Sequence, residues 1–161
     1  MKIASRIVLF TLTLSLLAAG DSFVGIWKLN AEKSKFQRGA PAFFFATIQI
    51  ESAGSGLKSS ASAADSEGFA SDLTFSCQLD GTPCKVTTST ALRSESSVDT
   101  VSLKRVDANT IVATGTRNGK LVYTDKRAVS ADGKTMTVVR DGTTPDGKSY
   151  ESIVVLDRLP K

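Results

Sequence analysis

VSLKRVDANTIVATGTRNGKLVYTDKRAV, residues 101–129, alternates apolar and polar side chains in three short runs. The runs meet at Ala108-Asn109 and Asn118-Gly119, and the second dipeptide tolerates the positive φ that tight hairpins require. A side-chain period of two is typical of half-buried strands, whereas an amphipathic helix needs a period of about 3.6. This stretch therefore predicts three antiparallel strands joined by short turns.

The same pattern continues through the chain from Phe43 onward, with further turn signals at Asp-Gly dipeptides. We predict ten strands, at residues 24–30, 45–51, 57–63, 70–78, 84–90, 98–106, 110–117, 120–129, 134–140 and 149–158. Residues 52–71 are mostly Ser, Ala and Gly, so they also fit a loop or a flap, because they have little side chain to pack. Residues 31–41 predict a loop or a single helical turn after the first strand.

Many short strands in series must protect the two edges of their sheet, and closing the sheet into a barrel removes those edges. A sandwich with Greek-key crossings is the alternative, but the connections are too short for such crossings. We therefore predict an all-β fold, an antiparallel up-and-down β-barrel of about eight to ten strands. The 161 residues suffice for one domain with a sizeable core.

Two-residue loops at these turns and at Asp132-Gly133 assign side chains to the two faces of the sheet. The face with small, Thr-rich and Lys-bearing positions, which includes Ile111, Ala113 and Gly115, is predicted to face solvent. The bulkier face is predicted to point inward, and it consists of Val101, Leu103, Arg105, Val112, Thr114, Thr116, Leu121, Tyr123, Asp125, Arg127, Val129, Met136, Val138 and Arg140.

Charged residues on the predicted inner face imply water or a ligand, because an unpaired charge in a dry interior costs several kcal/mol. Asp125 falls opposite Arg140 in this register, so the two can pair. Arg105 and Arg127 have no carboxylate assigned, and they are suited to hold an anionic or polar head group beside the Tyr123 hydroxyl. In the alternative, these arginines reach solvent at the barrel mouths. The candidate ligand contacts are Leu103, Arg105, Tyr123, Asp125, Arg127, Met136 and Arg140.

The segment FSCQLDGTPCKV, residues 75–86, contains both cysteines of the chain. If Asp80 and Gly81 form a two-residue loop, Cys77 lies directly opposite Cys84 in a hydrogen-bonded pair. The Cα atoms of such a pair are about 5.5 Å apart, which is within disulfide reach. We predict a structural disulfide. Two free thiols are the alternative, and a redox pair ordinarily has two intervening residues, not six.

Residues 1–20 have the pattern of a signal peptide, with Lys2 and Arg6, the apolar run Ile7–Leu17, and small residues before position 21. The run is too short to span a bilayer, so we expect no membrane insertion of the mature chain, residues 21–161; an uncleaved anchor is the alternative. We expect an exported protein, periplasmic or secreted. Without Lys2 and Arg6, the 20 Lys and Arg become 18 against 16 Asp and Glu, a net charge of +2.

Histidine is absent from the chain, which excludes Ser-His-Asp and Cys-His catalysis, His-ligated zinc and a proximal haem histidine. Two cysteines are too few for a metal site made of Cys alone. Lys and Arg do not interleave with aromatic residues on one face, so we expect no nucleic-acid partner. We predict no cofactor and no metal, while carboxylate chemistry stays open.

Gly25-x-Trp27 in FVGIWKL (23–29), the meander of strands and SIVVLDR (152–158) resemble the calycin superfamily of lipocalin-like and fatty-acid-binding barrels. SADGKTMTV (130–138) is similar to small secreted bacterial lipocalin-like proteins. The resemblance implies that Gly25 and Trp27 are structural, with Trp27 across the closed end of the barrel. Fatty-acid-binding members carry Arg-x-Tyr on the last strand, where this chain has Val154-x-Leu156, so an anion would be held differently here.

Three functions are compatible with this sequence. The first is an exported monomeric barrel that holds a small, partly apolar molecule without catalysis. The second is an extracytoplasmic inhibitor or protein-interaction module whose barrel is filled by its own side chains. The third is a cofactor-free isomerase or cyclase that uses Asp125 with Arg or Tyr partners. The sequence favours binding over catalysis and leaves the question of an enzyme open.

Overall fold

The structure is a computed structural model that describes residues 20–37, 43–65, 70–90, 98–144 and 147–160. It contains eleven strands. Their bounds are β1 Gly25–Leu29, β2 Lys35–Phe36, β3 Phe43–Ala53, β4 Gly56–Asp65, β5 Ala70–Cys77, β6 Asp80–Thr90, β7 Thr100–Asp107, β8 Thr110–Arg117, β9 Lys120–Val129, β10 Thr135–Thr143 and β11 Ser149–Arg158. None of the described segments forms a helix long and apolar enough to cross a membrane.

All ten predicted strands are present. Within the Ser- and Ala-rich residues 52–71, strands cover 52–53, 56–65 and 70–71, and residues 66–69 lie outside the described residues. The predicted loop over residues 31–41 contains one addition, the two-residue strand β2, and its residues 38–41 are likewise outside the described part. The predicted signal peptide lies outside it too, except for Gly20.

The sheet closes on itself. Each strand from β3 to β11 pairs with the next one antiparallel, and β1 pairs with β3 on one side and β11 on the other. Trp27 lies opposite Arg158 and Leu29 opposite Leu156 in that last pairing, and β2 follows on along β11 at Ser152↔Phe36. The predicted antiparallel up-and-down barrel is therefore confirmed, with ten strands around the ring and no helix among the described residues.

The predicted faces are correct on β7, on β10 and on β9 from Tyr123 onward, but wrong on β8. A bulge between Arg105↔Ile111 and Asp107↔Thr110 leaves Val106 as an extra residue, and this shifts β8 by one position. Consequently Ile111, Ala113 and Gly115 point into the barrel, and the predicted inward positions Val112, Thr114 and Thr116 point outward.

A second bulge, between Gly115↔Tyr123 and Thr116↔Leu121, restores the predicted phase from Tyr123 onward. Leu121 itself lies before this correction and is 61% exposed, so its predicted inward position is also wrong. Because the two bulges compensate each other, β9 and β10 present the predicted side chains to the interior, among them Tyr123, Asp125 and Met136.

The predicted disulfide is confirmed. Cys77 and Cys84 are bonded, with Cα atoms 5.4 Å apart. The pairing Phe75↔Val86 is the register that places the two cysteines opposite each other. This register centres the turn on Asp80-Gly81, as predicted. Asp80 itself is counted in β6 because it pairs with Lys104 of β7.

One end of the barrel, called the closed end below, is covered by Phe23, Trp27 and Arg158. Trp27 is fully buried and its Nε1 donates a hydrogen bond to the Phe23 carbonyl at 2.8 Å. The Arg158 guanidinium lies over the indole at 4.1 Å, and it donates to the carbonyls of Ser22, Val24 and Gly133. A Cβ at Gly25 would lie 2.5 Å from Arg158 Nη1, and Gly25 has a φ of 151°, so this position requires glycine.

Candidate functional site

Polar side chains interrupt the apolar interior on three neighbouring strands, β9, β10 and β11. We call them the polar cluster, which consists of Tyr123, Asp125, Arg127, Arg140, Tyr150 and Ser152. Asp125 lies opposite Arg140, and Arg140 lies opposite Ser152. Asp125 is completely buried, and Arg127 is only 8% exposed. Such groups need partners in the interior, because burying an unpaired charge is costly.

Asp125 is the centre of the polar cluster. Its Oδ1 accepts a hydrogen bond from Arg140 Nε at 2.6 Å, and its Oδ2 accepts from Arg140 Nη2 at 2.8 Å. Oδ2 also accepts from Arg127 Nη2 at 3.0 Å. The predicted pairing of Asp125 with Arg140 is confirmed as a two-pronged contact, and Arg127, for which the sequence indicated no carboxylate, shares the same one. Two arginines and one aspartate leave the cluster with a net charge of +1.

The two arginines keep Asp125 ionised. Burial alone would raise the pKa of its carboxyl group, but the charges and hydrogen bonds of Arg140 and Arg127 outweigh burial and hold that pKa below its ordinary value. Conversely, Asp125 raises the pKa of Arg140 against the opposing effect of burial. A carboxylate held in this way is poorly suited to proton transfer, so the geometry gives no support to Asp125 as a general base.

Both tyrosines of the chain belong to the polar cluster. The Arg140 guanidinium carbon lies 4.0 Å from the centroid of the Tyr123 ring, which is a stacked cation–π contact. Burial raises the pKa of both Tyr123 and Tyr150, although the charge of Arg140 opposes it. The two hydroxyl groups therefore stay protonated at neutral pH and can donate hydrogen bonds.

Three buried polar atoms have no hydrogen-bond partner within the described part of the chain. They are the Tyr123 hydroxyl oxygen, Arg127 Nε and Ser152 Oγ, all in the polar cluster. Leaving a buried donor or acceptor unpaired costs about 1–3 kcal/mol. Unpaired groups that all belong to one cluster point to water molecules or a ligand as their partners.

Across the barrel from the polar cluster, the inner face of β4 carries small side chains. β4 lies five strands from β9 in either direction around the ring. Alternation from the buried residues Leu57 and Ser59 places Ala61 and Ala63 on its inner face, at the end where β9 begins. The closed end, by contrast, is filled by large side chains such as Trp27. The inner face of β4 is therefore lined by smaller side chains than the closed end is.

The other predicted ligand contacts lie apart from the centre of the polar cluster. Leu103 is buried beside Ala113, which is the cross-strand neighbour of Asp125. Met136 is fully buried between Val129 and Leu156, towards the closed end.

Arg105 belongs to the closed end and not to the polar cluster. Its guanidinium pairs with the Asp21 carboxylate, lies 5.6 Å from the centroid of the Phe23 ring, and donates to the Ala108 carbonyl at 3.2 Å. The prediction left Arg105 without a carboxylate because Asp21 precedes the first predicted strand, where strand register assigns no neighbours.

Sequence reasoning missed Tyr150 and Ser152 of the polar cluster. Two turn signals, Asp141-Gly142 and Asp146-Gly147, follow each other before the last strand, so the sequence does not assign the register of that strand. In the structure β10 continues through Gly142, which pairs with Tyr150. The alternation of Tyr150, Ser152, Val154 and Leu156 was the available signal, because every second residue of a strand faces the same side.

A separate depression lies on the outer surface beside β1 and the end of β11. Its volume is about 470 Å³, and it is open to solvent and lined by Lys28, Leu29, Asn30, Ala31, Glu32, Asp157 and Leu159. Asp157 already accepts a hydrogen bond from Asn30 at 2.6 Å and lies 3.9 Å from Lys33 Nζ. The hydrogen-bonded pair of Asp157 and Asn30 distinguishes this depression from the polar cluster. No group of three or more cysteine, aspartate or glutamate residues that could hold a metal ion occurs among the described residues.

Comparison with known proteins finds the same fold in a solved structure. No protein-family model matches the chain. No curated protein matches it either. The crystal structure of zebrafish ileal bile acid-binding protein complexed with cholic acid superimposes with a TM-score of 0.51 and 8% sequence identity, covering 86% of this chain and 99% of that chain. At this identity the likeness concerns the fold alone, and the chain has a calycin-like barrel, as the sequence predicted.

Proposed function

We propose that this barrel binds a small, partly apolar molecule carrying a carboxylate or similar anionic group, and that it does so without catalysis. The proposal rests on the buried Tyr123 hydroxyl, Arg127 Nε and Ser152 Oγ, which lack partners beside a cluster of net charge +1. An anionic group would accept hydrogen bonds from donors of this kind and neutralise the excess charge. The apolar remainder of the ligand would lie against the interior side chains of β3 to β5.

The architecture supports this proposal. Small closed barrels with suitable interior side chains accommodate a single ligand. The small residues Ala61 and Ala63 on the facing strand β4 occupy little of the interior. The zebrafish protein of the same fold was solved with cholic acid, which is consistent with an acidic ligand of mixed polarity.

We expect the purified protein to bind an acid more tightly than its uncharged ester. The fluorescent polyene cis-parinaric acid and its methyl ester are suitable probes, because they differ only at the head group. A hydrogen bond to a charged group contributes about 1.5–3 kcal/mol, which corresponds to a preference of at least about tenfold for the acid. Fluorescence titration at neutral pH measures both dissociation constants.

Arg127→Met should remove most of this preference, because it deletes the unpaired Nε while Arg140 still holds Asp125. Lys126→Met is the matched control, since Lys126 is the next residue of β9, has the same charge and is exposed on the outer face. Equal affinity for acid and ester in the wild type, or an unchanged preference in Arg127→Met, would rule out the proposed anion site.

We also propose that the protein acts outside the cytoplasm, in the periplasm or as a secreted protein. The leader pattern in residues 1–20 and the Cys77–Cys84 disulfide support this proposal, since disulfides persist in oxidising compartments. Expressed in a bacterial host with its leader, the protein is expected in the periplasmic or culture fraction with Asp21 as its first residue. Intact mass and N-terminal sequencing test this, and a cytoplasmic chain that retains residues 1–20 would contradict it.

A further inference from the structure

Two glycines and both tyrosines alternate across four strands of the barrel wall. Gly115 on β8 lies opposite Tyr123 on β9, Tyr123 lies opposite Gly142 on β10, and Gly142 lies opposite Tyr150 on β11. We call these four residues the Gly-Tyr row. Neither of its glycines has a positive φ, so the backbone conformation does not require glycine at either position.

Space, and not backbone conformation, explains both glycines. A Cβ at Gly115 would lie 2.5 Å from Cε1 and 2.6 Å from Cζ of Tyr123. A Cβ at Gly142 would lie 2.4 Å from Cζ and 2.5 Å from the hydroxyl oxygen of Tyr150. Carbon atoms pack at about 3.5–4.0 Å, so each ring occupies the place of the missing side chain and lies against the sheet.

Both rings act on the arginine that organises the polar cluster. The Tyr123 ring stacks against the guanidinium of Arg140, and the charge of Arg140 acts on the Tyr150 hydroxyl, where it opposes the rise in pKa caused by burial. The backbone of the sheet lies behind each ring. A ring pushed off its glycine therefore has only the interior of the barrel to move into, on the side of the polar cluster.

We propose that Gly115 and Gly142 determine the breadth of the ligand. Because Tyr123 and Tyr150 pack flat against these glycines, the barrel beside the polar cluster is wide enough for a rigid fused-ring acid as well as a single acyl chain. The small side chains of Ala61 and Ala63 form the facing wall. This inference rests on the proposed function, because it concerns the same interior site.

The test compares cholic acid, a fused-ring acid, with hexadecanoic acid, a single-chain acid, by isothermal titration calorimetry. Gly142→Ala should weaken binding of cholic acid by at least about tenfold, which is within the usual discrimination of a pocket that loses the space of one methyl group. Binding of hexadecanoic acid should weaken much less, because a slender chain can pass the displaced ring. Gly115→Ala should shift the ratio of affinities in the same direction.

A compensating variant separates this effect from general damage to the fold. In Gly142→Ala/Tyr150→Val the ring that meets the new Cβ is removed, so the double variant should fold and regain cholic acid binding relative to Gly142→Ala. Trp27 is the only tryptophan and lies at the closed end, so its fluorescence reports whether the barrel is intact.

The outcomes are distinct. A wild-type protein that binds neither acid defeats the proposed function. A wild type that binds both, with glycine variants that lose both equally or neither, overturns the role of the Gly-Tyr row alone. A double variant that does not fold, or does not regain cholic acid binding, also overturns it. A Gly142→Ala chain that fails to fold while the double variant folds and binds cholic acid supports it.

Discussion

Asp125→Ala is expected to lower the free energy of unfolding by about 3–5 kcal/mol, the usual cost of removing one partner from a buried ion pair. Asp125 is completely buried, and both of its oxygens accept hydrogen bonds from arginines. Without it, Arg127 and Arg140 would face each other in the interior with no carboxylate between them. Urea unfolding followed by circular dichroism measures the loss.

Asp141→Ala is the matched control, because Asp141 follows Arg140 on β10 but is exposed on the outer face. Its effect should stay within about 0.5 kcal/mol, as is usual for surface positions. If Asp125→Ala were as stable as Asp141→Ala, the two arginines would have to reach water, and the polar cluster would not be a buried site.

The pH dependence of stability gives a second readout of Asp125. Its pKa is lowered in the folded protein, whereas an aspartate in an unfolded chain has a pKa of about 3.9. As the pH falls below about 4, the unfolded chain takes up this proton first, so unfolding becomes more favourable. The difference in the free energy of unfolding between wild type and Asp125→Asn should have its full size above about pH 5. It should shrink as the pH falls towards the pKa of Asp125 in the folded protein. A difference that stays constant down to strong acid would contradict the lowered pKa.

Trp27→Ala should cost about 3–5 kcal/mol, because it leaves a large cavity at the closed end. Trp27 is fully buried, and its loss also removes the surface on which Arg158 stacks and the hydrogen bond to Phe23. Trp27→Phe retains an aromatic ring beneath Arg158 and should cost less. Thermal unfolding followed by circular dichroism is the suitable measurement, since the variants lack tryptophan fluorescence.

Ile26→Ala is the control for this position, because Ile26 precedes Trp27 on β1 and is 41% exposed. We expect a small change, near the value of about 0.5 kcal/mol that is typical of surface sites. If Trp27→Ala and Ile26→Ala unfolded at the same temperature, the closed end would contribute little to the stability of the barrel.

Much of the fold could be predicted because its signals act between residues close along the chain. Side-chain alternation identified the strands, and turn dipeptides identified most of their connections. The same local reasoning predicted the Cys77–Cys84 disulfide and the contact of Asp125 with Arg140, since each joins neighbouring strands of one hairpin. Strand register therefore predicts contacts between neighbouring strands of one hairpin.

The candidate site was predicted only in part, because its remaining members depend on longer paths through the sheet. Tyr150 and Ser152 enter the site through the register of β11, which two competing turn signals left undecided. Gly115 was predicted to face solvent, and the bulge at Val106 turns it towards Tyr123. One inserted residue reverses every side chain that follows it until a second bulge intervenes.

By itself, the sequence determined the class of fold, the order of the strands and the compensated pair at the centre of the site, because these follow from the two-residue period and from nearest neighbours. Only the tertiary structure decided that Arg105 pairs with Asp21, 84 residues earlier, and that Arg127 shares Asp125 with Arg140. The closed end of the barrel brings Arg105 and Asp21 together, whereas Arg127 reaches Asp125 because both lie on the same face of β9. Which charges are neutralised, and which donors are left for a ligand, therefore depends on contacts within one hairpin as well as on contacts across the closed barrel.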